Sequence, residues 1–81
     1  MDKLNKEIMK IHMDLFDEKI ASEYDDPEER EIARIDHKNS MERELVYGNS
    51  IIMAQIVGLS REETIELLDG STEDVDYHWE D

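Results

Sequence analysis

Leu4, Ile8, Ile11 and Leu15 recur at intervals of four, three and four residues. That spacing puts all four on one stripe of an α-helix, whereas a half-buried strand would alternate apolar and polar residues. Met1 extends the row, and Phe16, Ile20 and Tyr24 continue on a neighbouring stripe. No Gly or Pro interrupts residues 2–24, so the spacing predicts one helix across them. The same 3.5-residue period suits a coiled-coil seam of barely two heptads. Leu4, Ile8, Ile11 and Leu15 are therefore the expected stripe for a dimer or for a partner's helix.

Further helices are signposted by their ends. Asp25-Asp26-Pro27-Glu28-Glu29 reads as a helix start, with Asp26 as N-cap, Pro27 at the first position and two carboxylates facing the positive end of the helix dipole. The apolar residues that follow are inconsistent in phase. Ile32 and Ile35 do not share a stripe with Met41, Leu45, Ile52 and Ile56. The buried face either rotates near residues 36–39, or a new helix begins there with Asn39 as cap and Glu42 completing a capping-box pair. Residues 27–57 are thus one long helix or two. Gly48-Asn49 also permits a short hairpin, but both arms alternate poorly, and a helix that either tolerates Gly48 at a close contact or restarts at Ser50 is preferred. Gly58 ends that segment, Ser60 caps the next, and Glu63 completes a Ser-x-x-Glu box ahead of Ile65, Leu67 and Leu68. The expected fold class is all-α, a small bundle of three to four helices. Residues 1–71 are the helical domain and residues 72–81 an acidic, aromatic tail that is extended and flexible.

Composition narrows the function. An 81-residue chain buries only about 60% of its unfolded surface, so the core is thin and oligomerisation would help it; a homodimer is the expected state. With no Cys there is no disulfide, thiolate nucleophile or Cys-based zinc site. The first residues lack a signal-peptide pattern, and the longest apolar run, Ile51-Ile52-Met53-Ala54, is too short for a bilayer. A cytoplasmic protein is expected.

Charge is the strongest compositional signal. The chain holds 23 acidic and 9 basic residues, a formal net of −14, and such a surface repels phosphate instead of binding it. Residues 54–68 resemble the helix-turn-helix half found in many bacterial regulators. A recognition helix, however, directs Arg, Lys, Asn or Gln at bases and phosphates, and here a single Arg61 stands among Glu62, Glu63, Glu66 and Asp69. Direct nucleic-acid binding is not expected.

Catalytic and metal chemistry find little support. None of His12, His37 and His78 has a Glu three residues before it, as a helical Glu-x-x-His metal site requires; they read as scattered surface histidines. No twelve-residue calcium loop, Gly-rich phosphate loop or nucleophile elbow occurs. The chain is read as a non-enzyme without cofactor or metal. Met1, Met9, Met13, Met41 and Met53 read as flexible core padding.

What remains is an interaction protein. More than half of the net charge lies in residues 59–81, which hold 9 acids and 1 base. Its candidate partner-binding residues are Asp25, Asp26, Glu28, Glu29, Asp69, Glu73, Asp74, Asp76 and Glu80, with Tyr77 and Trp79 as aromatic anchors. The leading expectation is an inhibitor that mimics nucleic acid and occupies a basic site on a nucleic-acid-handling protein. By class analogy it is like the anti-restriction and anti-CRISPR proteins of phages and mobile elements. The alternatives are an antitoxin-like or regulatory dimer with a weak helix-turn-helix, and a structural adaptor completing a partner's helix bundle.

Overall fold

The computed structural model describes residues 3–80. Met1 of the first stripe and Asp81 of the acidic end lie outside the described residues. All regular structure among the described residues is helical, in five α-helices where three to four were expected: α1 (Lys3–Leu15), α2 (Pro27–Val46), α3 (Ser50–Ile56), α4 (Arg61–Leu67) and α5 (Thr72–His78). None of them is long and apolar enough to cross a membrane.

The first helix does not run unbroken to Tyr24. After Leu15 it widens into a π-helical stretch, Phe16–Ile20, then tightens into a 3₁₀ turn, Ala21–Glu23. The Ala21 N–H donates to the Phe16 carbonyl, five residues back. With more residues per turn, side chains four apart stack more nearly in line. Phe16 joins Ala21 and Ala33 of α2 in one cluster, with Ile20 and Tyr24 packed against it.

α2 is one continuous helix of 20 residues and passes through Asn39 without a restart. Asp26 caps it as expected, its side chain accepting from the Glu28 N–H at 2.9 Å. The chain breaks instead at Gly48, where φ is +87°. The Gly48 N–H donates to Leu45 O at 3.2 Å and the Asn49 N–H to Glu44 O at 3.1 Å, the paired bonds of a Schellman motif. Gly58, φ +98°, closes α3 in the same way, with Gly58 N–H to Gln55 O and Leu59 N–H to Ala54 O. α4 then starts on the predicted box: the Ser60 hydroxyl accepts from the Glu63 N–H at 3.1 Å, and the Glu63 carboxylate from the Ser60 N–H at 3.2 Å.

Two apolar clusters divide the core. The larger joins Leu4 and Ile8 of α1 to Met41 and Leu45 of α2 and to Ala54, Val57 and Leu59, with Met9, Ile11, Met53, Leu67 and Leu68 against it. The smaller, around Phe16, Ala21 and Ala33, lies at the far end of the α1–α2 hairpin. Polar ties fix both. Arg30 donates to Ala21 O at 3.1 Å and to Tyr24 O at 2.8 Å, closing the 3₁₀ turn onto α2. At the other end the Ser50 hydroxyl meets the Asn5 side-chain oxygen at 2.6 Å. The result is a rod of 45 × 20 × 19 Å.

Beyond Ser71 the structure corrects the expectation of an extended tail. Thr72–His78 is helical, and Val75 is fully buried. Arg61 of α4 reaches Asp76 at 2.6 Å, and the Gln55 side-chain amide of α3 both donates to Glu80 O and accepts from the Glu80 N–H. Local composition could not show this order, because the partners come from α3 and α4.

Candidate functional site

The candidate acidic residues fall into two sets that the fold keeps apart. Asp25, Asp26, Glu28 and Glu29 are exposed at the hairpin tip, beside the smaller cluster. Apart from Asp26 at its cap, none of their carboxylates has an ion-pair or hydrogen-bond partner among the described residues. Asp69, Glu73, Asp74, Asp76 and Glu80 belong to the base, where α5 packs against α3 and α4. There Asp69 stands 3.9 Å from Lys3, with both side chains at least 75% exposed, an arrangement of little energetic weight. Asp76 is held more firmly: the hydrogen bond from Arg61 keeps its carboxyl below the usual aspartate range.

The two aromatic candidates separate as well. Tyr77 is 85% exposed and meets His78 edge-on, with ring centroids 5.0 Å apart. Trp79 is half-buried, and its backbone N–H donates to Val75 O at 2.8 Å. Tyr77 is thus presented outward, while Trp79 follows α5 back toward the body. Arg61, the lone cation of the helix-turn-helix-like segment, is engaged by Asp76 and lies 3.9 Å from Glu62.

The expected dimer or partner stripe is largely internal to the chain. Leu4 and Ile8 have no exposed surface, Ile11 packs against the same cluster, and Leu15 is half-buried. This stripe is covered by the chain's own α2, α3 and α4, because the later helices fold back along it.

A different apolar face is open. Ile32, Ile35 and Val46 are 61%, 48% and 83% exposed. They lie on the side of α2 opposite Ala33, Met41 and Leu45, which face the core. Sequence reading missed this face, although its signal was present: Ile32 and Ile35 were out of phase with the core residues because they belong to a second stripe. A shallow groove lined by Tyr24, Glu29, Ile32, Ala33 and Asp36 adjoins it at the tip.

His12 and His37 are not scattered surface residues. Their rings lie 5.7 Å apart between the two clusters, and His37 stacks at 4.8 Å on Phe16. His12 Nε2 is shut off from solvent without a hydrogen-bond partner. Burial is the main cause that lowers the His12 pKa. No group of three or more His, Asp or Glu among the described residues stands ready to hold a metal ion.

Comparison with family models, curated proteins and solved structures found no match, so the chemistry of these surfaces rests on their residues alone.

Proposed function

We propose that this chain is an acidic protein-interaction module that occupies a basic, nucleic-acid-binding site on another protein and so competes with nucleic acid. The observation that carries the reading is a rod 45 Å long whose carboxylates at tip and base are mostly exposed, with few ion pairs among the described residues. A net charge of −14 over that length is about one charge per 3–4 Å, roughly half the linear density of duplex DNA. A Lys/Arg-rich groove would meet a strongly negative body, and long-range attraction would speed the encounter.

The test is capture by the immobilised chain from a host lysate at low salt, with nuclease-treated and untreated samples compared, eluted by a salt step and read by mass spectrometry. The expected result is a basic nucleic-acid-handling protein released by salt, whose DNA or RNA binding the free chain then inhibits. Recovery of salt-resistant partners only, with no effect on nucleic-acid binding, would sink the reading.

A further inference from the structure

We propose that the outer face of α2 is the docking surface for a basic amphipathic helix of the partner protein. This inference rests on the acidic-module reading and names the surface through which it acts. Glu28, Ile32, Ile35, Asn39, Glu42 and Val46 follow one another at intervals of four, three, four, three and four residues. That is the heptad pattern that keeps one face of a helix turned toward a second helix. Ile32, Ile35 and Val46 stand open on it, Asn39 is exposed between them, and the stripe from residue 32 to 46 spans about 20 Å. Ile32 and Ile35 stand together on this face, and Val46 is open farther along it beyond Asn39 and Glu42, where a shallow groove lined by Asn5, Glu42, Leu45 and Val46 adjoins α1.

Charge selects the occupant. The face carries four carboxylates, Glu28 and Glu42 on the stripe and Glu31 and Asp36 beside it, against two cations, Lys38 and Arg43. A second copy would bring another body of net charge −14 against it and be repelled. A helix with an apolar stripe flanked by Lys and Arg satisfies both components: its aliphatic side chains cover Ile32, Ile35 and Val46, while its cations meet the carboxylates of the face. Such a helix is also the kind of surface that contacts phosphates, so covering it would remove it from nucleic acid.

The experiment uses the full chain and two synthetic peptides of equal positive charge, one an amphipathic helix of Leu and Lys, the other with every Leu replaced by Ser. Affinities are measured at about 0.15 M salt, and the contact is mapped by amide chemical shifts. The Leu/Lys helix is expected to bind at least about tenfold more tightly than its Ser counterpart, with shifts centred on residues 28–46. The exposed double substitution Ile32→Gln/Ile35→Gln should erase that preference while leaving the circular dichroism spectrum unchanged. Equal binding of the two peptides, or a preference that survives the double substitution, overturns the docking face and leaves the acidic reading standing. Failure of both peptides to bind even at low salt overturns both. A concentration-dependent dimer that the double substitution abolishes also overturns the proposal, since the stripe then belongs to a second copy.

Discussion

His12 shows how much one side chain can depend on residues distant in sequence. Its ring lies against His37, 25 positions later, with Nε2 buried and unpartnered. The interior favours the neutral imidazole and lowers the pKa from 6.5. The folded chain therefore binds fewer protons than the unfolded chain once pH falls below the unfolded value. The stability tied to neutral His12 is fully present above about 6.5 and is lost as pH falls through the lower folded-state pKa. Urea midpoints measured between about pH 7.5 and 5.5 should fall in the wild type, and His12→Leu should flatten that fall. The sequence revealed the histidines but not their facing, because they stand 25 positions apart with helix and turn between them. The Asp26 cap and the Ser60–Glu63 box were legible, since each is complete within four residues and needs no distant partner.

Among the elements, α2 and α5 departed most from expectation. In α2, two apolar stripes on opposite faces share one helix, and a helix with two stripes looks like a phase error when only one is sought. The continuity of α2 through Asn39 follows from uninterrupted helix-compatible residues up to Val46, whereas Gly48 supplies the left-handed residue that stops it. α5 is seven residues long and too short to be stable alone. It forms because Val75 is buried, Arg61 pairs with Asp76, and Gln55 clasps the Glu80 backbone. Val75→Ala should therefore loosen α5, at a cost of about 1–3 kcal/mol. Trp79, the sole tryptophan, reports the change directly: its emission should shift to the red, with faster amide exchange confined to residues 71–80. An unchanged spectrum would mean that α5 is held by its polar ties alone.

For the whole molecule, the governing facts are two small cores in a narrow rod and a large charge of one sign. Self-repulsion among 23 acidic residues opposes compaction, and the exposed ion pairs, such as Lys3–Asp69, offset little of it. Screening acts beyond about 10 Å at 0.1 M salt. The melting temperature should therefore rise as sodium chloride increases from about 0.01 to 0.5 M, and a fall would show that attractive pairs such as Arg61–Asp76 outweigh the repulsion. The same salt series should weaken partner binding, which gives the proposed function opposite salt dependences for folding and for association.

Local signals in the sequence determined the helical class, the starts of α2 and α4, the stop at Gly58, and the acidic surface, and left open whether Gly48 interrupts a helix. Each depends on residue type, on spacing within a turn or two, or on net charge. Only the tertiary structure decided that Leu4 and Ile8 face inward, that residues 72–78 fold as a helix, and that the two acidic sets stand at tip and base. It also decided that Ile32, Ile35 and Val46 are among the apolar residues left open. Periodicity identifies which side chains share a stripe; which stripe is covered depends on how the later helices fold back.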